Sequence, residues 1–341
     1  MPFKRICVFR LSALGDVVMT VPMVRALQAS FPMARLTWVI DRVAHRLLEG
    51  LSGVDFIVID KPKSLLDYYR FWRLMRPHRF DVLLAMQASL RTNLMYPLIS
   101  AQRKVGFDSA RARDCHSWFV GEAIEAQQNH LLEGFMSFAT HLGAKQPKQL
   151  KWQLVTSSSE RQWAALMLNK PCIVINPAAS KAERSWLASR YVLLIKKIQA
   201  TYPALEIVLS GAPDDLDFVA PIIAQTGVRS FVGKTSLKQL TALLEKAALL
   251  IAPDTGPVHI ASAVNTPVIG LYAVITSKLS GPYLSQSLTV DKYDEALRHC
   301  LNKDSKCVAW GTRVHSPDAM ALIQVDDVFE QVKRIVNTLS T

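Results

Sequence analysis

The chain has 341 residues, half of them apolar and a fifth charged, with a formal net charge of +12 and a pI near 9.5. These values exclude a disordered chain and allow two domains of ordinary size, each with its own core. The positive balance points to an anionic partner: nucleic acid, a phosphorylated sugar or an anionic membrane surface.

The N-terminal MPFKRICVFRLSALGD begins like a signal peptide, but Arg10 and Asp16 interrupt any apolar core. No uninterrupted apolar run reaches the roughly 18 residues of a membrane span, so no transmembrane segment is expected. Cys7, Cys115, Cys172, Cys300 and Cys307 are scattered, without a Cys-x-x-Cys pair or histidines in a zinc pattern, as fits a reducing cytoplasm.

RICVFRL (5–11) reads as a strand and leads into an amphipathic helix from Asp16 to Ser30. At that junction Gly15 permits a tight turn and close approach of a ligand. Asp16 is a good helix cap or a catalytic base, and the local pattern leaves both open. Pro22 signals a kink or a shifted helix start. RLTWVID (35–41), VDFIVID (54–60) and FDVLLAM (80–86) are further strands, with a helix over 64–76. Short apolar strands alternating with helices predict a parallel sheet covered on both faces.

Arg91 follows the strand FDVLLAM, and QRKVGFDSARARD (102–114) holds Arg103, Lys104, Arg111 and Arg113. These charges form either a solvated face or a site for an anionic acceptor in the first half. The polar TSSSERQW (156–163) marks the domain boundary.

The second half repeats the alternation. PCIVINP (171–177), EIVLSGAP (206–213), ALLIAPD (248–254) and TPVIGLYA (266–273) are buried strands, with helices over 189–203, 213–227 and 236–247. After the first of these, NPAASKAERSW carries Ser180, Lys181 and Arg184, a donor set suited to a diphosphate or an ordinary charged loop. In SGAPDD, Asp214 or Asp215 is placed to accept from ribose hydroxyls or to cap a helix. Asp254-Thr255-Gly256-Pro257 with His259 opens a helix after a strand, which favours phosphate at its free N–H groups. The chain ends in an amphipathic helix over 324–339. Two such sheets facing one cleft would hold ligands at the carboxyl ends of their strands. The predicted domains are 1–160, 161–323 and a terminal segment 324–341 free to pack back on the first.

Neither a Walker loop nor G-x-G-x-x-G is present, and no metal site or nucleic-acid motif is evident. The remaining histidines, His45, His78, His116, His130, His141, His299 and His315, are dispersed and read as surface or structural.

Taken in order, RLSALGDVVMTVPMVRAL, NPAASKAERSW, SGAPDD and APDTGPVHIASAVNTPVIGLY resemble the bacterial ADP-heptose–lipopolysaccharide heptosyltransferases. GPYLSQSLTVDKYDEALRHCL and AWGTRVHSPDAMALI are similar to the branch that adds the first heptose to Kdo. The resemblance implies an α/β GT-B fold of two Rossmann-like, doubly wound domains, with acceptor in the first and nucleotide sugar in the second. It implies an inverting transfer without metal or other cofactor. Asp16 matches the family's general base, and Asp254, Thr255, Gly256 and His259 its diphosphate motif. Asp215 stands where the family often has glutamate at the ribose, and Arg184 where some members have lysine. GKTSL (233–237), with Thr235, matches the adenine-side loop.

The expected function is therefore transfer of L-glycero-D-manno-heptose from ADP-heptose to a Kdo–lipid A acceptor. The acceptor would be held by Arg91, Arg103, Lys104, Arg111 and Arg113, in the cytoplasm at the inner face of the inner membrane, with no nucleic acid involved. The alternatives are another nucleotide sugar, a later inner-core acceptor, or a binder of nucleotide sugars without catalysis. Asp16 separates the last, because a binder has no use for a base.

Overall fold

The computed structural model describes residues 3–126 and 130–339, so the last two residues of the expected terminal segment lie outside the described residues. The chain divides into two units, Met1–Val155 and Thr156–Thr341.

In the first unit the elements run β1 (Arg5–Phe9), α1 (Leu14–Ser30), β2 (Arg35–Asp41), α2 (Arg42–Leu48), β3 (Val54–Ile59), α3 (Leu65–Met75), β4 (Phe80–Ala85), α4 (Leu90–Asn93), β5 (Ala101–Gly106), β6 (Glu122–Ala123) and α5 (Leu131–His141). All six strands are parallel, in the order β3-β2-β1-β4-β5-β6. The central strands are buried along their length, so ICVF and VLLA read as continuous apolar runs. Phe9 packs edge-on against Phe71 of α3 and Tyr96, at centroid distances of 6.3 and 5.1 Å.

Pro22 lies inside α1 without ending it. Its ring removes the N–H that would bond to the carbonyl four residues back. That carbonyl, Val18 O, accepts instead from the buried Trp152 indole at 3.1 Å. A residue 134 positions away thus makes the interior proline tolerable.

The second unit runs α6 (Ser158–Met167), β7 (Cys172–Ile175), α7 (Ala188–Thr201), β8 (Glu206–Leu209), α8 (Leu216–Thr226), β9 (Arg229–Ser230), α9 (Leu237–Lys246), β10 (Leu249–Pro253), α10 (Gly256–Ala263), β11 (Val268–Tyr272), α11 (Ser277–Ser280), β12 (Val290–Asp291), α12 (Tyr293–Leu301) and α13 (Val325–Leu339). Its parallel sheet has the order β12-β11-β10-β7-β8-β9.

Two boundary expectations change. TSSSERQW is a helix start within the second unit: Glu160 N donates to Ser157 Oγ at 3.2 Å, and Ser157 N donates to the Glu160 carboxylate at 2.6 Å. This capping box satisfies two amides of the first turn. The terminal helix α13 buries Val328, Phe329 and Val332 in the second unit's core and packs on α7, instead of standing as a separate segment.

Candidate functional site

In the first unit the chemistry gathers after β1. Asp16 occupies the first turn of α1, where a carboxylate complements the helix dipole. Its Oδ2 accepts from Ala13 N at 3.1 Å and also from Arg10 Nη2. Arg10 follows β1 directly and is nearly buried. Its other guanidinium nitrogen, Nη1, donates to Met86 O after β4, and its plane lies 5.0 Å from the Phe135 ring. Both strand ends therefore fix the guanidinium, and the guanidinium fixes one oxygen of Asp16. Among the described residues no donor reaches Oδ1, and the Asp16 side chain is 24% exposed. The arrangement is a charged, immobilised carboxylate with one oxygen open to a ligand. Asp16 is thus both the cap and a candidate base.

The five expected acceptor cations separate into two groups. Arg103, on β5, makes a bidentate pair with Glu122, both contacts at 2.7 Å. That pair, chiefly through its hydrogen bonds, lowers the Glu122 carboxyl to about 2. Lys104 donates to Tyr96 O at 2.8 Å, and burial lowers its pKa. Arg111 pairs with Asp108 and donates to Glu125 O at 3.1 Å. These three therefore have partners inside the unit. The exposed guanidinium groups of Arg91 and Arg113 make no ion pair among the described residues. Asn93 Nδ2 holds the two segments together, donating to Arg113 O at 3.1 Å and Asp114 O at 2.8 Å.

His116 completes this loop. Its Nε2 accepts from Phe107 N at 3.2 Å, so Nδ1 carries the proton and donates to Asn93 Oδ1 at 2.7 Å. Burial lowers the ring from 6.5 to about 4. Beside it opens a cleft of about 500 Å³ whose lining includes Phe107, Ser109, Arg113, Cys115 and His116.

In the second unit the predicted residues stand at the carboxyl ends of neighbouring strands. After β7, Arg184 Nη2 donates to Ser180 Oγ at 2.7 Å, and Nη1 reaches Asp254 Oδ2, after β10, at 2.8 Å. Ser280 Oγ donates to the other Asp254 oxygen at 3.3 Å. Asp254 is thus the anchor that aims Arg184. Beneath it, burial and then the Asp254 and Asp291 charges hold the Tyr272 hydroxyl protonated well above its usual range. Thr255 is the N-cap of α10, and its buried Oγ1 and the buried Arg184 Nε have no partner among the described residues. Gly256 opens α10, and His259 lies buried in its first turns. Lys181 is exposed and makes no ion pair among the described residues.

After β8, Asp215 Oδ2 accepts from Ala212 N at 2.7 Å and closes its own turn. The capping role read from PDD is therefore present, with Oδ1 left over for a ligand. The GKTSL loop lies against this turn, because Gly233 N donates to Gly211 O at 3.0 Å. Gly233 has φ +70, and an added Cβ would stand 3.2 Å from Pro213 Cα, so glycine fits here on both counts. Thr235 is half-buried at the end of that loop.

Sequence reading missed Arg10 as a site residue. An arginine ending an otherwise apolar strand, six residues before an aspartate, was the signal that could have found it. No cluster of three or more His, Cys, Asp or Glu side chains among the described residues is placed to hold a metal ion.

The profile of glycosyltransferase family 9 (heptosyltransferase) matches residues 68–310. The lipopolysaccharide core heptosyltransferase OpsX of Haemophilus influenzae is 32% identical over 337 residues, 97% of either chain. Among solved structures, the family 9 glycosyl transferase of Veillonella parvula superposes with a TM-score of 0.80 at 20% identity, over 98% of this chain and 97% of that one. Escherichia coli heptosyltransferase WaaC with ADP-2-deoxy-2-fluoro heptose superposes with a TM-score of 0.72 at 18% identity, over 97% and 99%.

Proposed function

Because the chain belongs to glycosyltransferase family 9, the heptosyltransferases of lipopolysaccharide core synthesis, we propose that it moves L-glycero-D-manno-heptose from ADP-heptose to a Kdo–lipid A acceptor. The observation that carries this reading is Asp16, with one carboxylate oxygen pinned by Arg10 and the Ala13 amide and the other open. An inverting transfer needs one base opposite the leaving group. The acceptor hydroxyl gives its proton to Asp16 Oδ1, its oxygen bonds to C1 of the heptose, and the bond from C1 to the diphosphate oxygen breaks. ADP leaves as a stable anion, so stabilising its charge replaces protonation by an acid.

Arg184, Ser180, Lys181 and the first amides of α10 receive the diphosphate, with Asp254 holding Arg184 in place and Thr255 and His259 completing the turn. Asp215 faces the ribose and the Thr235 loop the adenine. ADP-heptose as donor is supported by the related WaaC structure, which carries an ADP-heptose analogue. Arg91 and Arg113 receive the anionic acceptor, while Arg103, Lys104 and Arg111 keep the partners they have inside the unit.

No helix among the described residues is long and apolar enough to cross a membrane. We place the enzyme at the inner face of the inner membrane, where a lipid-anchored acceptor is available. The test is Asp16→Asn. It should keep the fold and ADP binding while lowering turnover roughly 10²–10⁴-fold, the usual worth of a general base. Near-normal turnover would leave Asp16 as a cap alone.

A further inference from the structure

The exposed face of α3 has no role in the chemistry above. Phe71 and Met75 point into the core and hold the helix to the sheet. The opposite face carries Leu65, Leu66, Tyr69 and Trp72, which are 87%, 65%, 54% and 38% exposed. An ordinary surface helix presents polar groups there. Tyr69 and Trp72 lie on one stripe with rings 5.7 Å apart, and the Arg76 guanidinium lies 5.7 Å from the Trp72 ring. Residues 61–79 hold six basic side chains, Lys61, Lys63, Arg70, Arg73, Arg76 and Arg79, against one acid, Asp67. Asp67 accepts from the amides of Lys63 and Ser64, both at 3.0 Å, and pairs with Arg70 at 3.1 Å. Lys61 pairs with Asp41 at 3.7 Å, which leaves Lys63, Arg73, Arg76 and Arg79 without an ion pair among the described residues.

We propose that α3 is the surface by which this protein docks on an anionic lipid bilayer. Leucine, tyrosine and tryptophan settle at the level of the headgroups, where an apolar ring with a polar edge is favoured. The arginines around them extend long stems and keep their charge at the lipid phosphates. A second copy of the chain fits this face poorly, since two such faces would bring like charges together. An anionic bilayer complements the charge across the whole patch. The docking face also has a link to the acceptor region, because Tyr68 Oη of α3 donates to Arg91 O of α4 at 3.1 Å. The proposal rests on the membrane placement proposed above, names the surface that makes it, and uses the proposed reaction only for one control.

The test is co-sedimentation of the full chain with vesicles of phosphatidylcholine alone and of phosphatidylcholine mixed with phosphatidylglycerol. The wild type should pellet with the mixed vesicles and not with the neutral ones. Replacing Arg70, Arg73 and Arg76 by glutamine should lower partition on the order of a hundredfold, at about fivefold per basic residue near the surface. Leu66→Ser/Tyr69→Ser/Trp72→Ser should lower it at least tenfold. Both variants should melt like the wild type and act normally on a water-soluble, deacylated acceptor. Absence of wild-type binding to anionic vesicles would overturn the proposal, as would unchanged binding by both variants. So would a wild-type dimer that either variant dissolves, which would make the face a contact between copies. A wild type inactive on every acceptor would count against the proposed reaction, while vesicle binding would still decide the docking face.

Discussion

Replacing Arg184 with alanine tests the donor site where its geometry is most explicit. Arg184 bonds to Asp254 at 2.8 Å and to Ser180 at 2.7 Å, with the paired side chains 16% and 14% exposed. Hydrogen bonds to charged groups are worth about 1.5–3 kcal/mol, so loss of the diphosphate contact alone should weaken ADP roughly 10–150-fold at 1.4 kcal/mol per decade. The substitution also strips Asp254 of its counter-charge, and the bared carboxylate then repels the same diphosphate. Asp254→Asn added to Arg184→Ala should therefore recover part of the affinity, with a coupling of about 0.5–3 kcal/mol, as expected for residues in contact. Calorimetric titration of ADP into the wild type, both single variants and the double variant closes the cycle. Thermal unfolding by circular dichroism shows whether each variant is folded. Arg184→Ala binding ADP within twofold of the wild type, while folded, would refute the reasoning. Additive effects would confine the error to the role given to Asp254.

Three further outcomes follow from the same contacts. Arg91→Gln/Arg113→Gln should raise the acceptor constant at least tenfold and leave that for the donor unchanged, while Arg103→Gln should chiefly lower stability; steady-state kinetics with separately varied substrates distinguish them. His116 has a folded pKa depressed from 6.5 to about 4, so the unfolded chain binds the extra proton first. Its stabilising contribution is full above pH 6.5 and declines toward pH 4 by up to about 3 kcal/mol; pH-dependent melting of His116→Gln should lack that part of the slope. Trp152→Phe leaves Val18 O without its donor beside Pro22 and should destabilise the first unit by about 1–3 kcal/mol in a denaturant titration.

The doubly wound architecture was legible because its central strands are buried on both faces. ICVF, VLLA, CIVI and LLIAP are short continuous apolar runs between helical stretches, the pattern of parallel strands covered on both faces. The strand β5, paired between β4 and the short edge strand β6, was not legible: AQRKVG is half polar and its charges are answered by Glu122 and a carbonyl, so it reads as a basic loop. The same long-range pairing explains why the five cations looked equivalent in sequence and separate in the structure. Asp16, Arg184 and Asp254 were found because each directly follows a strand or its turn. That Arg184 and Asp254 bond across 70 residues, and that Arg10 holds Asp16, depends on strand order, which local pattern does not carry. The polar TSSSERQW misled because a capping box and a linker draw on the same residues. Pro22 pointed to a kink or a shifted helix start, whereas α1 runs through it from Leu14, with Trp152 bonding the carbonyl that the proline leaves without a donor.

The most direct measurement is product mass after incubating the purified chain with ADP-L-glycero-D-manno-heptose and a Kdo–lipid A acceptor carrying no heptose. The account predicts an acceptor heavier by one heptose, with one ADP released per transfer, and the same product formed 10²–10⁴-fold more slowly by Asp16→Asn. An acceptor of unchanged mass, or transfer only to an acceptor that already bears heptose, would contradict it.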